Sequence, residues 1–98
     1  MREIKQRAAF KSDLKRGLRG IYREILKPGG EFQAVVNMLR HDIPLPAKYR
    51  DHPLHNNFEG FRECHIKPDF LLLYSLEGDD VLRLERLGSH SESFRALR

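Results

Sequence analysis

Ninety-eight residues, 40% hydrophobic and 33% charged, suffice for one domain over residues 1–98 with one core and room for one compact site. No apolar run approaches the ~18 residues a membrane span needs, and a single cysteine, Cys64, excludes an internal disulfide and any cysteine-based zinc cluster. The formal charge of +4 is uneven, because residues 1–27 carry nine Lys or Arg against three acids and the remainder nine against eleven. A local positive field of this kind suits a polyanion, the plain alternative being a solvated helix face. The first residues, MREIKQRAAF, contain no signal-type apolar segment, so a cytoplasmic protein with no membrane partner is expected.

In chain order, residues 2–10 read as a first strand. Ser12 or Asp13 then caps a helix whose apolar residues Leu14, Leu18, Ile21, Tyr22 and Ile25 recur at helical spacing, and Pro28-Gly29-Gly30 ends it. Across that helix Lys11, Lys15, Arg19, Arg23 and Lys27 fall every four residues. Stacked like charges cost stability, which favours a binding role for the stripe. Gly17 and Gly20 weaken the helix and suggest close packing. A second helix presents Phe32, Val35, Val36, Leu39 and Ile43 inward and stops at Pro44 and Pro46. Residues 45–59 read as a loop, long for so small a domain and hence a candidate functional segment.

Three strands follow. GFRECHIK alternates, with Cys64 and Ile66 inward and Glu63, His65 and Lys67 outward, while FLLLYSL is apolar on both faces and reads as the central strand. EGDD turns the chain into VLRLERL. Strict alternation there puts Arg86 beside Leu82 and Leu84, so either the core ends before it or a bulge re-aims it. After Gly88, residues 91–98 read as a short C-terminal helix capped by Ser89 or Ser91. The predicted fold is α+β: a small antiparallel sheet with two N-terminal helices on one face, leaving the other face for a site.

Each candidate has an ordinary alternative. His52 in DHP and His90 after Gly88 can be solvated turn residues, Arg86 can pair with Glu63 or Glu85, and His41 suits the negative end of its helix. Together, three imidazoles, a carboxylate and a guanidinium supply what metal-free RNA cleavage requires. A base takes the 2′-hydroxyl proton, an acid protonates the departing 5′-oxygen, and a cation holds the charge on phosphorus. Histidine titrates near neutrality and can serve in either protonation state. A zinc site is disfavoured, since the histidines sit in different elements and Arg86 repels a cation; neither a metal nor a cofactor is expected. No nucleophile stands in an elbow motif, and Cys64 alternates toward the core.

The run from IPLPAKYRDHPL through GFRECHIKPDFLLLY to RLERLGSH resembles the YafQ branch of the RelE superfamily, ribosome-dependent messenger-RNA endonuclease toxins of type II toxin–antitoxin pairs. The resemblance covers residues 43–94 and rests on DHPL, the H-x-x-x-D of HIKPD and the R-x-x-x-H of RLGSH occurring together and in order. It implies that His52, His65, Asp69 and His90 form the acid–base group, with His90 as acid and Asp69 or His65 as base. Arg86 would stabilise the transition state and Phe94 would position a nucleotide by stacking. Phe70 stands where that branch has a tryptophan, so stacking is expected to survive there without the indole N–H. The implied partners are a cognate antitoxin, messenger RNA in the ribosomal A site, and ribosomal RNA phosphates gripped by Lys11, Lys15, Arg19, Arg23 and Lys27. The alternative is a non-catalytic RNA- or ribosome-binding module of the same fold.

Overall fold

FLLLYSL does form the middle of the sheet. The computed structural model describes residues 1–90, and β4 (Phe70–Glu77) lies third in a five-stranded sheet of order β1-β5-β4-β3-β2. Its neighbours are β3 (Arg62–Lys67) and β5 (Val81–Gly88), both antiparallel to it. The α+β class therefore holds. The sheet is mixed, however: β1 (Glu3–Gln6) runs parallel to β5 at one edge, and a two-residue β2 (His52–Pro53) closes the other. That second edge strand lies inside the segment expected to be a loop, between 3₁₀ turns at Ala47–Tyr49 and Asn56–Phe58.

Before the long segment come α1 (Ala8–Gly17), α2 (Arg23–Leu26) and α3 (Glu31–Arg40). Phe10, Leu26, Val35, Val36 and Leu39 from these helices meet Cys64, Ile66, Phe70, Leu72, Tyr74, Leu82, Leu84 and Leu87 from one face of the sheet in a single core. Cys64 is fully buried, and that burial pushes its thiol up to about 12, as suits a packing residue. On α3 the buried residues keep the expected spacing, but the helix ends at Arg40, ahead of Pro44, and Ile43 is exposed.

The single helix expected over residues 12–27 is two. Its first part starts at Ala8 after an extended Arg7 with no side-chain cap, so neither Ser12 nor Asp13 caps it. Gly17 ends it for a packing reason: a Cβ there would stand 2.7 Å from Leu26 Cδ1, which shows how closely α2 folds back on it. The basic stripe is consequently broken. Lys11 and Lys15 stay on α1, Arg19 falls in the turn, and Arg23 and Lys27 belong to α2 and its end, where Lys27 pairs with Glu24 at 3.0 Å. Gly30, just before α3, is tighter still, since a Cβ would lie 2.6 Å from the Ile25 carbonyl oxygen. Backbone yields less readily than a side chain, so Gly30→Ala should destabilise by about 1–3 kcal/mol in urea unfolding; an unchanged midpoint would contradict this packing.

Two bulges decide which residues reach the helix-free face. Leu73 pairs with Arg86 but Tyr74 pairs with Leu84, so Glu85 is the extra residue in β5. Leu82, Leu84 and Leu87 thereby face the core, and Arg86 turns to the other side. On β3 the register slips at Ile66, which sends Lys67 to the helix side rather than outward with His65. There its Nζ meets Glu31 at 2.8 Å.

Candidate active site

Antiparallel partners share a face, so the register reads as two rows across the helix-free side. One row runs His52, Glu63, Leu73, Arg86; the next runs His65, Leu71, Gly88, and the chain leaves Gly88 directly into Ser89 and His90. With strands about 4.8 Å apart, β3 and β5 stand roughly 10 Å apart, with β4 between the histidines and Arg86. Leu71 and Leu73, between them on β4, are fully buried beneath these side chains.

His65 is held from both ends. Its Nε2 lies 3.0 Å from Glu63 Oε1, and its Nδ1 faces the Pro68 carbonyl at 3.4 Å. The shorter of the two contacts, Nε2 to Glu63, needs an N–H on Nε2, so the ring is oriented chiefly by that carboxylate. Glu63 is 3% exposed, so its carboxylate depends on that contact. His52 differs. Its ring is exposed and Nδ1 contacts the Arg50 carbonyl at 2.6 Å, so in the neutral ring Nδ1 carries the proton and Nε2 the lone pair. The two rings are 6.1 Å apart.

His52 is aimed by its neighbour. Asp51 accepts from Arg62 Nη2 at 3.2 Å and from the Tyr74 hydroxyl, and Arg62 Nε also donates to that hydroxyl at 3.2 Å. Burial and then the Asp51 carboxylate push the Tyr74 hydroxyl well above its ordinary value, so it stays protonated and donating. Arg50, left-handed at φ 48°, turns the chain into this anchor. At the far end of the long segment Tyr49 donates to Glu31 at 2.8 Å, and burial together with that carboxylate raises it to about 12.

Arg86 is clamped by α1. Its Nε and Nη2 donate to Asp13 Oδ2 and Oδ1 at 2.7 and 2.8 Å, and Leu87 N–H donates to Oδ2 at 2.9 Å. β1 pairs with β5 only as far as Leu84, so beyond it Asp13 supplies the edge acceptor that a strand would have given. Burial alone would raise the Asp13 carboxyl, but Arg86, Leu87 N–H and Arg16 outweigh it and hold the group below the ordinary 3.8. A depressed carboxyl stabilises the fold above its unfolded value, and that contribution is lost as pH falls through the lowered one.

Of the residues singled out in the sequence, His52, His65 and Arg86 thus share the helix-free side, and His90 follows two residues after Gly88, where β5 ends. Asp69 is exposed in the turn after His65. Phe70 does not join them: it is 5% exposed in the helix-side core, its ring 4.8 Å from Tyr22, so it is not presented for stacking. Phe94 and the expected C-terminal helix lie outside the described residues. In the sequence Asp13 reads only as a helix cap and Glu63 only as an outward residue or a partner for Arg86, and Asp51 has no assigned role. For Glu63 the available signal was its shared parity with His65 in RECHIK. Among the described residues no three His, Cys, Asp or Glu side chains gather as metal ligands, and no helix is long and apolar enough to cross a membrane.

A small helix-backed sheet of this kind is the architecture of solved bacterial toxins. YafQ from Escherichia coli strain BL21(DE3) matches it with a TM-score of 0.79 and 34% identity, over 96% of this chain and 99% of that one. The E. coli DinJ–YafQ toxin–antitoxin complex contains a chain matching at TM-score 0.77 and 34% identity, over 95% and 97%. In sequence, the mRNA interferase toxin YafQ of Escherichia coli (strain K12) is 44% identical over 57 residues, which span 58% of this chain and 61% of that relative. The match therefore takes in less than two thirds of the curated relative's length. The family model for YafQ, bacterial toxin of a type II toxin–antitoxin system, matches residues 2–95, and the chain belongs to that family.

Proposed function

We propose that this chain is an endoribonuclease toxin that cleaves messenger RNA on the ribosome by metal-independent acid–base catalysis and is neutralised by a cognate antitoxin. The observation that carries the reading is the convergence of His52, Glu63, His65, Arg86 and the approach to His90 on one helix-free face. The E. coli relatives, one an mRNA interferase and one bound to DinJ in a toxin–antitoxin complex, support substrate and partner.

The hydrogen bonds favour a division of labour. His52, with Nε2 as its lone-pair nitrogen, takes the proton from the ribose 2′-hydroxyl. The 2′-oxygen attacks phosphorus, and His65, its ring nitrogens directed at Glu63 and Pro68, joins Arg86 in stabilising the charge that builds on the phosphoryl oxygens. His90 protonates the departing 5′-oxygen. The products are a 2′,3′-cyclic phosphate, or the 3′-phosphate from its hydrolysis, and a 5′-hydroxyl. Asp69, beside the His65 end, orients the ribose or relays a proton. Lys11, Lys15, Arg19, Arg23 and Lys27, spread over α1, α2 and their turns, contact ribosomal RNA phosphates as separate points rather than as one stripe.

Primer extension on a message in a reconstituted translation reaction tests the reading. The wild-type chain should produce truncated ends, His90→Ala should leave the message whole, and neither should cut free RNA. If both proteins spare the message while still binding ribosomes, the non-catalytic binding module replaces the enzyme.

A further inference from the structure

We propose that Asp13, on α1, is a positioning residue for Arg86: it fixes the guanidinium on the helix-free face and pins β5 just ahead of His90. The inference rests on the cleavage reading above. An arginine carries several rotatable bonds, and a guanidinium that must meet a developing charge is useful only if its orientation is set beforehand. Asp13 sets it by geometry. Two parallel N–H···O contacts of 2.7 and 2.8 Å fix the plane of the fork as one contact cannot. The carboxylate is itself immobile, because its side chain is 1% exposed and Oδ2 also accepts from Leu87 N–H at 2.9 Å. Through that third contact it holds the main chain three residues before His90.

The bulge at Glu85 makes such a brace necessary. Bulges twist a strand and leave its register locally underdetermined, and β1 has already ended beside this stretch of β5. Glu85 is tied down separately, by Arg7 Nε at 2.8 Å and by the Ser75 hydroxyl at 2.7 Å. Asp13 does the same for the next two residues, so both sides of the bulge are fixed by side chains rather than by a strand.

The experiment combines Asp13→Asn with Arg86→Gln, alone and together, in single-turnover message cleavage on ribosomes. Asparagine keeps the size and one acceptor oxygen but loses the charge and the second acceptor. Asp13→Asn should cut the rate of the bound complex roughly 10²-fold, as a misplaced catalytic group does, with ribosome affinity little changed. In the Arg86→Gln background the same change should cost almost nothing, because the group it orients is gone. An equal loss in both backgrounds, or a full rate from the folded Asp13→Asn protein, overturns the proposal. The Arg86 Nε–H resonance gives a readout independent of turnover: a single slowly exchanging signal in the wild type that is lost in Asp13→Ala. Should that signal survive the removal of both acceptors in Asp13→Ala, the clamp is refuted whatever the kinetics. A wild-type chain that cleaves nothing refutes the cleavage reading instead, and the resonance then reports on the clamp alone.

Discussion

Replacing His65 with alanine should lower single-turnover message cleavage by ~10²–10⁴-fold, the range for loss of one acid–base or charge-stabilising group. It should also cost stability. Glu63 is 3% exposed and lies 3.0 Å from His65 Nε2, so the variant leaves a buried carboxylate facing a cavity, at about 1–3 kcal/mol or more for a charged group. His52 provides the internal comparison. It is exposed, its Nδ1 contacts a local carbonyl and its ring touches the His65 ring but no buried charge, so His52→Ala should lose cleavage comparably while its urea midpoint stays near the wild-type value. Rapid-quench cleavage and urea unfolding, run on both variants, measure the two effects separately. Undiminished cleavage by His65→Ala would remove this histidine from the mechanism; equal stability losses for both would mean that Glu63 does not depend on His65.

What could be read from the sequence was what depends on local pattern. FLLLYSL, apolar on both faces, had to be central, and Phe32, Val35, Val36 and Leu39 had to share one face of a helix; both hold. The histidine motifs could be picked out as a set because loop and strand positions keep their order in the chain, and His52 and His65 do come within ring contact. Everything that failed crosses a long separation or turns on parity. Asp13 looked like a helix cap because its true partners, Arg86 and Leu87, lie more than seventy positions away. Arg86 and Lys67 could not be assigned to a face until the register shifts at Glu85 and Ile66 were seen, since one extra residue reverses every side chain after it. Two-residue β2 carries no periodicity to detect and exists because Arg62 and Tyr74 anchor Asp51. Phe70, matched to a family aromatic by position, follows the bulge at Ile66 and pairs with Lys67 on the core side.

Converting the Glu63–His65 pair to Leu–Leu should leave the fold as stable as the wild type or more so, and abolish cleavage. A buried carboxylate recovers from its hydrogen-bond partner little more than it loses on leaving water, and replacing buried charged groups together with their partners by apolar groups of similar size is neutral or stabilising by about 1–4 kcal/mol. The local setting favours that result: Glu63 sits opposite Leu73 and His65 opposite Leu71 in the register, and both leucines are buried. Two more leucines would pack against apolar side chains that are already buried there. Glu63→Gln separates charge from shape. Its amide oxygen can still accept from His65 Nε2, so stability should change little, while the loss of the carboxylate's negative charge beside the imidazole should reduce cleavage by roughly 10-fold or more. Urea unfolding and single-turnover cleavage of the three proteins decide the matter. A double-leucine variant that is markedly less stable than the wild type would mean the pair serves the fold; one that is stable and inactive means the sheet keeps a buried carboxylate beside a partly exposed imidazole for their chemistry.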